Sequence, residues 1–173
     1  MRSAAFLGMG LALVLLQANL FRVLGWVHIP GFSPSLVLPL IVFMGVHEYS
    51  VVRGAAIAFA LGHATDLVGV APIFLFTFTY VALFLLARAA SVRLAAQTVM
   101  MQVVLALAFT LVHCVMLLVL LAIFGKDAYV PRALYPMTIP HILTTGAIAP
   151  AVFRLAQRVH MATTRAREGA RAS

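Results

Sequence analysis

The sequence predicts an all-α integral membrane protein with about six transmembrane helices in one bundle, and three observations support that fold class. Apolar residues make up 64% of the 173-residue chain, and the mean hydropathy is +1.10. Charged residues make up only 9%, whereas soluble domains contain about 25%. The apolar residues fall into six runs separated by short polar or proline-containing connectors. These properties exclude a soluble fold and leave no room for a separate soluble domain.

The first three predicted spans cover residues 3–24, 34–47 and 54–68. The first run is longer than the ~7–15 residues of a signal-peptide core, so we interpret it as an uncleaved helix. The second span follows a connector rich in Gly and Pro, and we expect Pro39 to interrupt it. The second and third spans are shorter than the about 20 residues that cross ~30 Å of hydrocarbon. We therefore expect them to lie inside the bundle, to be broken, or to thin the bilayer locally.

The last three predicted spans cover residues 72–90, 96–124 and 136–154. The fourth begins at a proline and is aromatic, the fifth is long and continuous, and the polar stretch GKDAYVPRALYP separates it from the sixth. A basic segment then ends the chain. The sequence thus predicts a transmembrane domain over residues 1–155 and a flexible, basic cytoplasmic tail over residues 156–173.

The distribution of basic residues predicts the orientation of the helices. With the N-terminus in the cytoplasm, nine arginines lie on the inner side, whereas Arg22, Lys126 and Arg132 lie on the outer side. This is the positive-inside bias of membrane proteins, and six spans then place both termini inside. We expect the arginines at the end of the chain to face anionic lipids, and RNA or an acidic protein surface is the alternative partner. These arginines are Arg154, Arg158, Arg165, Arg167 and Arg171.

Motifs that carry catalysis or cofactor binding are missing from the sequence. Cys114 is the only cysteine, so it forms no intrachain disulfide and no zinc site. No phosphate-cradling loop, HExxH motif or GxSxG motif occurs. We therefore expect no catalytic residue, no cofactor, no metal and no bound nucleic acid.

Polar residues at membrane depth are the main candidates for a site. In the predicted orientation, Asp66 and three histidines share the outer half of the membrane. They could form a ligand, proton or metal site, or they could form interhelical hydrogen bonds. For Asp66 we expect a structural role, either capping a helix end or bonding across to the fifth or sixth helix, with His113 or His141 as the partner. The expected polar anchors are Asp66, His63, His113, His141 and Gln17.

Small residues recur every four positions in two of the predicted helices. Such faces allow close approach of helix backbones, either within the chain or with the transmembrane helix of a partner. Both alternatives remain open from the sequence. The residues are Ala4, Gly8 and Ala12 in the first span and Gly54, Ala58 and Gly62 in the third.

The first span has the pair Leu16-Gln17 towards its end, a proline loop leads into Pro34-Ser35-Leu36-Val37-Leu38, and the third span ends in Gly62-His63-Ala64-Thr65-Asp66-Leu67. Over residues 7–154 these motifs resemble the MreD family of bacterial rod shape-determining proteins, and the last of them looks like the family's Gly-x-x-x-Asp-Leu signature. Gly69, Pro72 and an aromatic fourth helix follow. The chain departs from the family at Ser35, where Asp is frequent, and this weakens the expectation of a polar role there.

The resemblance implies a non-enzymatic, multi-pass protein of the bacterial inner membrane. Such proteins pair with MreC and work beside MreB, RodA and a class B penicillin-binding protein to direct lateral peptidoglycan synthesis and maintain cell shape. The fold is implied to be similar to the S component of energy-coupling-factor transporters. The leading alternative is therefore an S component that captures a vitamin or metal ion, and a flippase-like or proton-coupled carrier is a third interpretation.

Overall fold

Helices are the only regular secondary structure in the part of the chain that the computed structural model describes. The described residues are 2–24, 34–47, 50–69, 74–91, 99–124 and 129–172. The six helices are α1 (Arg2–Leu24), α2 (Val37–His47), α3 (Val51–Val68), α4 (Leu75–Ser91), α5 (Val99–Phe124) and α6 (Tyr129–Ala172). The all-helical class expected from the sequence is confirmed.

Three segments are long and apolar enough to cross a membrane. They are Val51–Val68 in α3, Met100–Ile123 in α5 and Met137–Thr163 in α6. The apolar helices Ala4–Leu20, Val37–His47 and Leu75–Ala90 are shorter. By length and composition, three of the described helices could therefore cross a membrane.

Helix α2 lies at the centre of the molecule. Every residue from Pro34 to Gly45 is buried, and α2 contacts each of the other five helices. Its 11 residues span about 16 Å at 1.5 Å per residue, which is about half of the ~30 Å hydrocarbon core of a bilayer. Pro39 does not interrupt it, because the helix begins at Val37 and a proline in the first turn removes no helical hydrogen bond.

Helices α3 and α4 form the closest packed pair, and small residues on α3 make that approach possible. Gly54, Ala58 and Gly62 are all buried. The ring of Phe84 lies against Gly54, and a Cβ at Gly62 would lie 2.5 Å from the Cα of Thr77. The small-residue face of α3 therefore packs within the chain.

The corresponding face of α1 points away from the bundle. Ala4, Gly8 and Ala12 are exposed, and a Cβ at Gly8 would have no neighbouring atom within 4 Å. The opposite face packs inward, because a Cβ at Gly10 would meet the side chain of Leu61. The two small-residue faces thus have different surroundings although their spacing is the same.

Helix α6 is the longest element, with 44 residues. It runs beside α2, since Thr145 contacts the start of α2 and Phe153 packs edge-on against Phe43 with ring centroids 5.7 Å apart. The helix continues as far as Ala172, so residues 156–172, for which we expect a flexible tail, are its last turns.

Candidate functional site

Asp66 caps the beginning of α4 from the end of α3. Its Oδ1 accepts a hydrogen bond from the backbone N–H of Phe76 at 2.9 Å. Its Oδ2 accepts from the N–H of Thr77 at 3.0 Å and from the Thr77 hydroxyl at 2.6 Å. The carboxylate is 5% exposed, so it satisfies backbone donors that water would not reach.

This position suits a carboxylate because the N-terminus of a helix carries a partial positive charge. The local sequence also explains why an outside group is needed. Phe74 precedes α4, and a phenylalanine side chain offers no acceptor for the free N–H groups of the first turn. Phe74 has a positive φ of 73°, a conformation that costs about 1–2 kcal/mol in a residue with a Cβ. The three hydrogen bonds from Phe76 and Thr77 to Asp66 come directly after Phe74 in the chain, and they hold its backbone in this conformation.

The beginning of α2 is capped in a similar way, but by uncharged groups. The backbone N–H of Ser35 donates to Thr145 Oγ1 of α6 at 3.0 Å, and the N–H of Leu36 donates to Gln17 Oε1 of α1 at 3.0 Å. Ser35 Oγ accepts from the N–H of Leu38 at 3.4 Å. Helices α1 and α6 therefore both hold the first turn of α2, and Ser35 has a polar role that the sequence did not lead us to expect.

Tyr80 connects the two capped helix starts. It is 1% exposed, and its hydroxyl interacts with the side chains of Ser35 and Thr65. Ser35 belongs to the cap of α2, and Thr65 precedes Asp66. The resulting network joins α1, α2, α3, α4 and α6, and we call this part of the bundle the capped end. Its members are Gln17, Ser35, Thr65, Asp66, Thr77, Tyr80 and Thr145.

His113 borders the capped end without bonding to Asp66. It is 2% exposed, and its ring packs against Phe76 and Tyr80 with centroid distances of 6.1 Å and 5.7 Å. Its buried Nδ1 has no hydrogen-bond partner. His141 lies within electrostatic range of His113. The carboxylate of Asp66 therefore bonds to α4, and not to either of the histidines that the sequence suggested as its partner.

The ring of His63 makes different contacts from the carboxylate of Asp66. Its ring stacks between Phe59 and Phe74, with centroid distances of 6.4 Å and 5.8 Å. Phe59 and Phe74 are both more than half exposed, so this column of rings is on the outside of the bundle. The structure therefore separates His63 from Asp66, although the two residues are only three positions apart.

Basic residues gather at the opposite end of the molecule, which we call the basic end. Gly45 at the end of α2 contacts Ala87 and the backbone N of Arg88 at the end of α4. His160 of α6 packs near Phe6 of α1 and His47 of α2. The described arginine side chains at this end are Arg53, Arg88, Arg154 and Arg158. The side chains of Arg165, Arg167 and Arg171 lie outside the described residues.

The polar groups of the capped end act most directly as structural supports. Its carboxylate, hydroxyl and amide groups bond to backbone N–H groups or to one another. Within the described ranges, no three His, Cys, Asp or Glu side chains come together as a set of metal ligands. Cys114 is a buried free thiol.

Sequence reasoning selected Asp66 and Gln17 but missed Ser35, Thr77, Tyr80 and Thr145. One signal in the sequence could have revealed Asp66's partner: residues 67–74 contain no Ser, Thr, Asn or Asp to cap α4, and Asp66 is the last acid before it. The serine, threonines and tyrosine are common in any helix, and nothing in their spacing indicated that they face each other.

No family model, curated protein or solved structure matches the chain.

Proposed function

We propose that this chain is a non-enzymatic scaffold of the bacterial cell-elongation complex, similar to MreD. It would be a six-span protein of the inner membrane with both termini in the cytoplasm. MreC would be its main partner, with MreB, RodA and a class B penicillin-binding protein in the same assembly. The proposal begins from the sequence motifs that resemble the MreD family, and the structure adds physical support for a scaffold.

The observation that carries the proposal is the contrast between the two small-residue faces. The face of α3, with Gly54, Ala58 and Gly62, is used inside the molecule. The face of α1, with Ala4, Gly8 and Ala12, is exposed. A small-residue face that is not needed for folding is suited to close packing against a single transmembrane helix of another protein, and MreC has one such helix.

The Gly-x-x-x-Asp-Leu motif gives a second line of support. Gly62 lets α4 approach α3, and Asp66 caps α4. Both residues therefore stabilise the packing of α4 against α3, and we assign a catalytic role to neither of them. This use of the motif agrees with a structural protein whose task is to hold partners in position.

The location of basic charge supports the proposed orientation. The described arginines gather at the end of the bundle where α1 begins and where α2 and α4 end. The positive-inside rule would place this end in the cytoplasm. The capped end would then face the periplasmic side.

The proposal is tested by isolating the chain, tagged at its C-terminus and expressed at native level, in a mild detergent. Mass spectrometry of the bound proteins is expected to identify a single-span periplasmic protein together with wall-synthesis enzymes. Recovery of a membrane coupling subunit with paired ATPases would overturn the proposal in favour of an S component.

A matched pair of variants connects the isolation experiment to α1. Ala12→Leu enlarges a residue on the exposed face of α1, and Ala108→Leu makes the same change at an exposed position of α5. We expect Ala12→Leu to reduce recovery of the single-span partner and Ala108→Leu to leave it unchanged. Equal recovery from both variants would exclude the α1 face as the contact.

A further inference from the structure

Arg154 and Arg158 form a pair on the outward face of α6. They are one helical turn apart, so their Cβ atoms are about 5–6 Å from each other. Both side chains are exposed. Arginine presents several N–H donors in a planar fork that matches the oxygens of a phosphate group. Two such side chains at this spacing can hold one phosphate between them.

No carboxylate in the described structure competes for this pair. Asp66 is the only acidic residue whose side chain is described, and it lies at the capped end. The whole chain has 12 basic and four acidic residues, so most arginines cannot be neutralised within the molecule. Among the described side chains, the pair therefore has no carboxylate partner, and an anion from outside the chain can occupy it.

The length of α6 places the pair at the edge of the membrane. The apolar segment Met137–Thr163 has 27 residues, which is about 40 Å at 1.5 Å per residue. The hydrocarbon core is ~30 Å thick and takes about 20 residues. Arg154 and Arg158 lie in the last ten residues of this segment, so the part of the segment that exceeds the hydrocarbon core can place both guanidinium groups in the layer of lipid headgroups.

The residues around the pair fit a lipid better than a water-soluble anion. Met161 is 52% exposed close to the pair, and Leu155 is 42% exposed at the margin of the same surface. Ala151 and Ala147 are exposed one and two turns further into the span. This surface provides apolar contacts for an acyl chain directly beside two phosphate-binding groups.

We propose that Arg154 and Arg158 form a binding site for the headgroup of an anionic phospholipid in the leaflet at the basic end. The inference requires only that α6 crosses the membrane, so it does not depend on the proposed role in cell elongation. The site would fix the depth of α6 in the bilayer and would concentrate anionic lipid beside the protein.

Native mass spectrometry of the full chain, supplied with equal amounts of phosphatidylglycerol and phosphatidylcholine, tests this site. Each near-surface arginine contributes roughly a fivefold preference for anionic lipid. We therefore expect the ratio of phosphatidylglycerol-bound to phosphatidylcholine-bound protein to fall about fivefold in each of the two single variants, Arg154→Gln and Arg158→Gln. Arg53→Gln removes an exposed arginine elsewhere at the basic end and is expected to leave the ratio nearly unchanged.

Several results would overturn the proposal. One is a wild-type ratio close to one, and another is an equal fall in Arg53→Gln, which would indicate a diffuse attraction and no site. Displacement of the lipid by millimolar inorganic phosphate would show that a soluble anion is sufficient. Displacement of the lipid headgroup by polyglutamate, at concentrations that leave the contacts of the acyl chains intact, would assign the pair to an acidic protein surface. Circular dichroism of each variant verifies that the helical fold is retained.

Discussion

The capped end and the basic end treat charge in opposite ways. Asp66 is buried, and three donors on α4 surround its carboxylate. Arg154 and Arg158 are exposed, and their guanidinium groups are left to the surroundings. A charge in an apolar interior must be balanced by fixed dipoles and hydrogen bonds, whereas a charge at the membrane surface is balanced by water and headgroups. The buried carboxylate of the capped end therefore stabilises the fold, whereas the exposed arginines of the basic end are available for interactions with other molecules.

Asp66→Leu provides the strongest test of this comparison. The change removes the acceptor for three donors, and each buried donor left unsatisfied costs about 1–3 kcal/mol. We expect a loss of at least about 3 kcal/mol in the free energy of unfolding, measured by denaturant titration in detergent.

Asp66→Asn separates hydrogen bonding from charge at the same position. Asparagine keeps one acceptor oxygen, and we expect about half the loss seen with leucine. If the two variants lose equal stability, the negative charge itself is required. If neither loses stability, Asp66 does not anchor the capped end.

Gly62→Ala is expected to have the next largest effect. The added Cβ would lie 2.5 Å from the Cα of Thr77 and 2.9 Å from the carbonyl oxygen of Phe76. Both atoms belong to the backbone of α4 and cannot move independently, so we expect a loss of about 2 kcal/mol. The melting temperature in detergent measures it.

Gly8→Ala is the matched control for this change. No atom lies within 4 Å of the added Cβ, and alanine favours a helix by up to about 1 kcal/mol over glycine. The melting temperature should therefore stay the same or rise. A fall comparable to that of Gly62→Ala would mean that the exposed face of α1 is required for folding.

Tyr80→Phe should have a smaller effect. It removes the hydroxyl that links Ser35 and Thr65, at a cost of about 1 kcal/mol in unfolding free energy. Thr110→Val serves as the control, because the Thr110 hydroxyl bonds to Ala106 on its own helix and connects no second element. Equal losses in the two variants would show that the link between the two caps adds nothing beyond an ordinary hydroxyl.

The double change Arg154→Gln with Arg158→Gln is expected to alter stability least. Exposed substitutions away from packed features usually stay within about 0.5 kcal/mol. The same denaturant titration, carried out in an uncharged detergent, measures the effect. A loss as large as that of Asp66→Leu would break the comparison between the two ends, since the basic end would then also hold the fold together.

Much of the helical layout could be predicted from the sequence because each apolar run is interrupted by polar or proline-containing residues. The predicted span 3–24 agrees with Arg2–Leu24 to within one residue, whereas the predicted 136–154 falls inside Tyr129–Ala172. Helix α6 was underestimated because its ends are polar, and hydropathy marks the apolar part of a helix without marking where the helix stops.

The candidate site was less predictable than the helices. Asp66 was recognisable as an unusual residue, since a carboxylate among apolar segments needs a partner. The choice of partner depended on how α4 packs against α3, which brings Thr77 beside Asp66. Gln17, Ser35 and Thr145 come from three separate parts of the sequence, and their meeting follows from the packing of the whole bundle.

The half-length central helix has a consequence for how the protein is made. A ribosome delivers α2 to the membrane long before α6, yet Thr145, which accepts the hydrogen bond from the Ser35 N–H, is 110 residues further along the chain. The 11 residues of α2 are about half of the number that crosses the hydrocarbon core. The hydrogen bond that completes the start of this helix therefore forms only after the last helix has been synthesised, and a chain truncated before α6 would lack the acceptor for the Ser35 N–H.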